Sequence, residues 1–422
     1  MKKQLLATTA LVAGGLLAGA AQAADPIKLT LGGYAQTGIT VRSQDNVATA
    51  NGTINGQNDW FVQNNGLQVT TDLGRSDVSW EAEVFFVGET TLDNGIKVGI
   101  NIQLEAYTSS DQVDEHYVYV TGGFGRLVIG AENSAPYIMH YAAPSPTGNM
   151  YGVESPNHFA FRAPPSNAIG TVNTPLQLTS DANKLTYYTP RFAPGFQFGI
   201  SYTPDDDAFA GTQTVNGAGN CRGGCAFNAG NNISDNDNIS PGSTRSHHHF
   251  IEGGMNFVRS INGVDLAFDL GYGVGFIEKQ SRNTSLDRIA KMRHSAQAGF
   301  NVGFAGWTFG AGFLWDNQGV QGPNSRYDAT VGVMYGAGPW AVGVGVGYAL
   351  AHDGRRLTST AAGGYARPTN DTLLMGALEG TYTLGPGIRI FGALNGVSYG
   401  GNGTKSEESD GIAVSTGLML NY

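Results

Sequence analysis

Cysteine, helix-length apolar runs, proline and positive charge are all scarce in this chain of 422 residues. There are two cysteines, Cys221 and Cys225, in the stretch CRGGC. Two cysteines cannot staple a fold of this size, so a disulfide scaffold is excluded. In an exported protein the pair reads as a small loop disulfide. A metal site is the other reading, but no His or Asp stands at zinc-like spacing beside it. Lys and Arg number 24 against 34 Asp and Glu, for a net charge of −10. That balance offers no basic surface for nucleic acid. Beyond the first 23 residues no apolar run approaches the roughly 20 residues of a spanning helix. The longest, Trp340 to Leu350, is broken by glycine at alternate positions. Proline, at 16 residues, is far outnumbered by glycine, at 62. With a tenth of the residues aromatic, this composition points to an all-β chain and not a disordered one.

The N-terminus has the form of a secretory leader. Lys2 and Lys3 precede an apolar Leu5–Leu17, and Ala21-Gln22-Ala23 forms an A-x-A cleavage site. We therefore expect residues 1–23 to be removed and residues 24–422 to form a single domain. The mean hydropathy of −0.16 suits a soluble protein. It suits a membrane β-barrel equally, because apolar and polar residues alternate along barrel strands and average out.

What the chain has in abundance is alternation. IKVGINIQLEA places Ile96, Val98, Ile100, Ile102 and Leu104 on one face, with Lys97, Asn101, Gln103 and Glu105 on the other. VDLAFDLGYGVGF does the same with Val264, Leu266, Phe268, Leu270, Tyr272, Val274 and Phe276. LTLGGYAQTGITV near the start and GIAVSTGLMLNY at residues 411–422 share the pattern, a period of two that belongs to strands. The runs are about ten to thirteen residues long, where strands of soluble sheets usually have five or six. That is the length needed to cross a bilayer at a tilt.

The breaks between runs alternate too. Short turns (DNG, GGFG, PRFAPG, SING, FAG, GAGP, LGPG) alternate with long polar connections at about 43–77, 108–112, 133–182, 205–246, 280–290, 317–325, 353–370 and 400–410. Eight long and seven short connections define sixteen strands. Loops of 35 to 50 residues are unusual in a compact soluble domain, but a membrane barrel carries them on one side. A sheet in lipid has no water for an open edge, so the last strand is expected to close against the first. Phe61–Leu73 has some strand character, and we assign it to the first loop or to an extension of strand two. The fold class is thus all-β, a transmembrane antiparallel barrel of sixteen strands. Trp307, Trp315, Trp340, Tyr348, Tyr399 and Tyr422 sit near strand ends, as aromatic belts would.

Strand phase also sorts the charges. It turns Lys28, Arg42, Arg126, Lys184, Arg293 and Arg326 inward as candidate wall bases. The acids turned inward are Glu81, Glu83, Glu89, Glu105, Asp265, Asp269, Asp316, Asp328 and Glu379. Gly271, Gly273, Gly275, Gly343, Gly345 and Gly347 also face inward. Glycine fills no space, so these argue against a packed interior.

The leader followed by KLTLGGYAQTGI resembles the start of a Gram-negative general porin. LDNGIKVGINIQLE (92–105), DEHYVYVTGGFGRLVIG (114–130) and NKLTYYTPRFAPGFQFGISYTPD (183–205) are similar to that family as well, nearest to its α-proteobacterial members. The resemblance covers essentially all of residues 24–422. It implies an outer-membrane barrel with short periplasmic turns and long extracellular loops, assembled as a homotrimer among lipid and lipopolysaccharide. Such a barrel passes small hydrophilic solutes and ions by passive diffusion.

It further implies that the third loop, 133–182, folds into the lumen as a constriction. That loop is stiffened by Pro136, Pro144, Pro146, Pro156, Pro164, Pro165 and Pro175. The family sets carboxylates on the loop against a basic wall. Here the candidates are only Glu154 and Asp181 on the loop and Glu132 just before it, a departure that weakens the expected transverse field. Since acids outnumber bases, we expect mild cation preference. The second loop, 108–112, is short for one that reaches into a neighbouring subunit.

Other chemistry is not indicated. His247-His248-His249 cannot converge on one ion, because neighbours on a strand point to opposite faces. DDD (205–207) and DND (235–237) lack the glycine and terminal glutamate of a calcium loop and read as solvated acids, so no cofactor is expected. No phosphate-binding glycine motif occurs, and no Ser/His/Asp arrangement marks an enzyme. The competing reading is a plugged or substrate-gated barrel whose long loops adhere to a surface or partner.

Overall fold

In the computed structural model, residues 26–422 are described apart from 46, 50–52, 55–56, 59–68, 72, 74–75, 107–112, 155–157, 165–168, 205–246, 278–290, 320–323, 354–368 and 402–407. The leader, Cys221, Cys225 and the two acidic triplets lie outside the described residues.

Sixteen antiparallel strands close into one barrel. In chain order they are β1 (Lys28–Gln44), β2 (Ser76–Thr91), β3 (Lys97–Glu105), β4 (Val113–Gly122), β5 (Gly125–Ala131), β6 (Asn183–Tyr188), β7 (Phe196–Thr203) and β8 (His247–Ile261). Then come β9 (Val264–Ile277), β10 (Arg293–Phe304), β11 (Trp307–Asp316), β12 (Ser325–Ala337), β13 (Trp340–Asp353), β14 (Thr369–Gly385), β15 (Ile388–Gly400) and β16 (Ser409–Asn421). Each strand pairs with its sequence neighbours, and β16 pairs with β1, with Thr37 opposite Leu418 and Val41 opposite Val414. Tyr422 N donates to Gly33 O at 3.0 Å and Gly33 N to Tyr422 O at 2.9 Å, which seals the seam. Every strand of the wall therefore has a ladder partner on both sides, the condition a sheet must meet in lipid.

Short turns gather at one end and long connections at the other. At the short end, Asn262 and Gly263 turn β8 into β9 with positive φ at both positions (52° and 81°). That is the geometry of tight hairpins, which Asn-Gly adopts readily. Phe61–Leu73 adds no barrel strand. Val69–Thr71 pairs with Val47–Thr49 in a small ribbon of the first loop, and residues 61–68 lie outside the described residues.

The alternation sorts the two faces. On β13, Val342, Val344, Val346 and Tyr348 are exposed outward, while Gly343, Gly345, Gly347 and Ala349 face in and are buried. On β1, Ile39 and Val41 point out while Thr40 and Arg42 point in. A continuous exposed apolar wall of this kind is a surface made for lipid. It is rimmed at the short-turn end by Trp307 packed on Tyr335 (ring centroids 4.7 Å apart) and Trp340 on Tyr382 (4.5 Å). Tyr202, Tyr272, Tyr327 and Tyr348 stand outward near the long-loop end. Tyr399, expected in that belt, faces inward instead; it is buried and its hydroxyl donates to Gly170 O at 3.2 Å. Among the described residues no helix is long and apolar enough to cross a membrane.

Candidate functional site

The lumen is shaped by the described residues of the segment 132–182, which leave β5, line the inner wall and return to β6. The first pass starts on a single helical turn, α1 (Ala135–Ile138). Ala135 N donates to Ser201 Oγ on β7 (2.8 Å), and Tyr141 N to Asp269 Oδ2 on β9 (2.8 Å). Asn301 on β10 donates to Ala142 O (2.8 Å). Ser145 Oγ donates to Glu379 Oε2 on β14 (2.5 Å), and Asn395 on β15 to Tyr151 O (2.7 Å). The Tyr151 hydroxyl reaches Ser79 Oγ on β2 (2.5 Å), so this pass sweeps most of the circumference.

The return pass lies nearer the long-loop end. Arg326 on β12 donates to Thr171 O (2.7 Å), and Asn173 N to Asp328 Oδ2 (3.2 Å). Leu176 N donates to Gln297 Oε1 (2.6 Å) and Thr179 Oγ1 to Glu252 Oε2 on β8 (2.6 Å).

Packing reinforces these bonds. Met150, Tyr151, Val153, Phe161, Ile169 and Val172 from the loop form a buried cluster with inward Ala349, Leu373, Met375, Phe391 and Val397. The inward glycines take a different role from the one expected of them. A Cβ on Gly271 would meet Pro136 Cβ at 2.7 Å, on Gly273 Leu178 Cδ1 at 2.6 Å, and on Gly345 Val153 Cγ2 at 2.8 Å. They leave room for the loop to lie against the wall; the interior on that side is packed.

The wall bases are corrected accordingly. Arg42, Lys184, Arg293 and Arg326 all face inward, but each is buried. Arg42 donates to Leu73 O (3.1 Å) and Ala160 O (3.2 Å) and pairs with Asp77 (3.1 Å). Arg293 pairs with Asp316 (3.0 Å), and Arg326 with Asp328 (2.8 Å). Lys184 Nζ donates to the carbonyls of Glu132, Ser180 (2.6 Å) and Ala182 (2.7 Å). These cations tie the loop or its neighbouring wall down and are not open to the pore. Lys28 is exposed at the short-turn end. Arg126 is half-buried and lies over the Tyr119 ring, 4.3 Å from its centroid.

The constriction acids are also engaged. Glu154 accepts from Thr174 N (2.6 Å), Thr174 Oγ1 (2.8 Å) and Thr330 Oγ1 on β12 (2.8 Å), so it pins one pass of the loop to the other and both to the wall. Burial pushes its carboxyl above the ordinary range, and the Thr174 N–H pulls the other way. Glu132 and Asp181 stand at the two feet of the loop and are buried there. Asp269, Asp316, Asp328 and Glu379, inward by phase, are likewise loop or ion-pair acceptors, whereas Asp265 is exposed.

What remains toward the lumen is a sector on β2 to β4. Its acids are Glu81, Glu83, Glu89 and Glu105; Glu115, which shares the inward phase of Tyr117 and Tyr119 on β4, is buried beside them and accepts from Asn133 Nδ2 of the loop at 2.9 Å. Tyr34 Oη donates to Glu83 (2.7 Å) and Glu81 (3.2 Å). Gln103 donates to Glu115 at 2.6 Å. Lys97 pairs with Glu89 at 2.8 Å, both well exposed. Of the three consecutive histidines, His249 pairs outward with Tyr202 (2.8 Å) while His247 bonds Lys291 O (2.7 Å), so they do not converge. No group of acidic, His or Cys residues among those described is arranged to hold a metal ion.

Comparison with solved structures agrees with this architecture. The outer membrane channel DcaP of Acinetobacter baumannii superposes with a TM-score of 0.56 at 12% identity, over 94% of this chain and 98% of that one. The anion-selective porin from Comamonas acidovorans gives 0.54 at 15% identity, over 94% and 100%. At these identities the likeness speaks for the fold alone. No curated protein sequence matches the chain. The family model for Gram-negative porins, however, matches residues 7–402, nearly the whole chain. With a closed lipid-facing barrel built around an inward loop, the chain belongs to the Gram-negative porin family, the passive diffusion channels of the bacterial outer membrane.

Proposed function

We propose that this porin conducts small hydrophilic solutes and ions with a preference for cations, through a bore set to one side of the barrel. One observation carries the reading: the carboxylates of β2 to β4 face the lumen while Arg42, Lys184, Arg293 and Arg326 are drawn under the loop. A pore wall richer in carboxylates than in bases raises the local cation concentration. The Comamonas porin is named for anion selectivity; the charge distribution here supports the opposite sign. Export through the leader 1–23, a homotrimer and contact with lipopolysaccharide complete the proposal, resting on the family.

The test is the reversal potential of the purified protein in a planar bilayer under a KCl gradient. Cation sign, reduced when Glu81 and Glu83 are both changed to Gln, supports the reading; anion sign refutes it. Closure in three equal steps would support the trimer. A second reading is favoured by the apolar core between loop and wall: a plugged or substrate-gated barrel with an adhesive role. A correctly folded barrel with no conductance would put that reading first.

A further inference from the structure

The outward face of the barrel repeats one arrangement three times near the long-loop end. Tyr202 on β7 lies opposite Ile251 of β8, and its hydroxyl meets His249 Nδ1, two residues further toward the long loops, at 2.8 Å. Tyr272 on β9 lies opposite Ala296 of β10 and meets His294 Nδ1, again two residues further, at 2.6 Å. Tyr327 on β12 lies opposite Leu350 of β13, and its ring stands edge-on to that of His352, with centroids 6.1 Å apart. The three tyrosines and His249 are exposed on the outer wall, and His294 and His352 are half-buried there. Two residues of strand span about 6.6 Å, so each imidazole stands one step outside the tyrosine belt, among the lipid headgroups.

A membrane surface accounts for the tyrosines by themselves, because the ring is apolar and the hydroxyl is wet. It does not account for a histidine at the same diagonal position each time. On β8 a bulge between His248 and Ile251 re-aims the chain to bring His249 onto Tyr202, with which it stacks at 6° between planes. The outward positions described on β7 to β13 carry no carboxylate, and their arginine, Arg259, lies beside the short turn at the other end.

The ring nitrogens define what each imidazole offers. In the first two pairs Nδ1 is held by the tyrosine hydroxyl; at His352 it donates to Asn370 Oδ1 (2.6 Å), an atom that only accepts. Nε2 of all three has no protein partner among the described residues. A ring that accepts at Nδ1, or that carries a second proton, donates from Nε2. A donor on an acid-free wall at headgroup depth is complementary to an anion, and the anionic group of membrane lipids at that depth is a phosphate ester. We propose that the three tyrosine–histidine pairs are seats for the phosphate groups of lipids in the leaflet at the long-loop end, one headgroup to a pair. The inference rests on the membrane barrel and gives named residues and a chemical group to its lipid contact.

The experiment places the folded full-length protein in vesicles of phosphatidylcholine and phosphatidylglycerol, with brominated chains on one lipid or the other. Trp315 on β11 lies directly opposite Ala296 and Tyr327 and so reports from within the girdle; its share of the fluorescence is the part lost in Trp315→Phe. Brominated phosphatidylglycerol should quench that share with an apparent affinity about threefold to tenfold above brominated phosphatidylcholine, the gain from one exposed charge-assisted contact. Changing His249, His294 and His352 together to Gln should abolish the preference, and changing them to Arg should restore it, which a merely structural role would not do. His294→Gln alone repeats the test beside Trp315 if the triple variant does not fold. Equal quenching by the two lipids, a preference unchanged in the Gln variants, or a loss that Arg does not restore would overturn the seats. Trp315 shielded from both lipids would put a second copy of the chain on this face and overturn them as well. Conductance, recorded separately, tests the channel reading, which none of these outcomes touches.

Discussion

Asp269 is the strongest single test of whether the loop is held by the wall as described. Its carboxylate accepts from Tyr141 N (2.8 Å), His140 Nδ1 (3.1 Å) and Gln297 Nε2 (2.8 Å), and Gln297 in turn donates to Pro136 O (2.7 Å). Asp269→Ala strands three donors at once. Bonds to a charged acceptor contribute about 1.5–3 kcal/mol each. At the lower figure the three together come to about 4–5 kcal/mol. Every 1.4 kcal/mol is tenfold, so local undocking of residues 139–142 should become roughly a thousandfold more populated. The barrel ladder is untouched, because β9 keeps its pairs with β8 and β10. We expect unchanged thermal unfolding of the barrel in detergent, with strong open-channel noise and substates in single-channel records. Asp265→Ala, exposed on the same strand nearer the short-turn end, should look like wild type. If Asp269→Ala is as quiet as Asp265→Ala, the loop is not anchored through this carboxylate and the energetic argument fails.

Two more outcomes follow from the loop's contacts. His158 accepts from Ala160 N (3.2 Å), stacks on Phe161 (5.9 Å, 6° between planes), and burial lowers its imidazole to about 4. An undocked loop takes up this proton near 6.5, so the docked state loses stability as pH falls from 6.5 toward 4, by at most about 3 kcal/mol. Glu154, raised by burial, works in the opposite sense, stabilising docking as pH falls. Closing frequency recorded between pH 7 and 4 should rise in wild type and flatten in His158→Gln; an equally steep rise in that variant would exclude His158 as the cause. Gly345→Leu drives a side chain into Val153 and should cost about 1–3 kcal/mol of loop packing. It should change unitary conductance, whereas Gly376→Ala, with nothing within 4 Å, should not; equal conductance in both would refute the seat.

The barrel was legible because lipid and lumen impose opposite demands on successive residues, and that period of two survives in almost every strand. Alternating short and long breaks counted the strands correctly for the same reason, since a closed sheet must return to the side it left. Phase says which face a side chain occupies but not what covers it. Arg326 and Asp328, two apart on β12, share the inward face, so their ion pair could be read directly from the sequence. The carbonyl of Thr171 that completes the arginine's environment is 155 residues away in the chain. The same gap misplaced Tyr399, which takes its belt position by proximity to a strand end and its true partner from the returning loop.

The path of the loop is marked in the inward residues of the wall it covers. A water-filled lumen favours polar inward residues, yet β13 turns Gly343, Gly345, Gly347, Ala349 and Ala351 inward, and β14 turns Leu373, Met375 and Ala377. Small residues in register across from large apolar ones describe a surface that something packs against. On β2 to β4 the inward residues are mainly Glu, Asn, Gln and Tyr, with Phe85 and Val87 the apolar exceptions, and there the wall faces the lumen. The division of the barrel into a covered sector and a conducting one is thus written in the inward residues alone. Selectivity follows from which charges fall in the second sector, and not from the total of either sign.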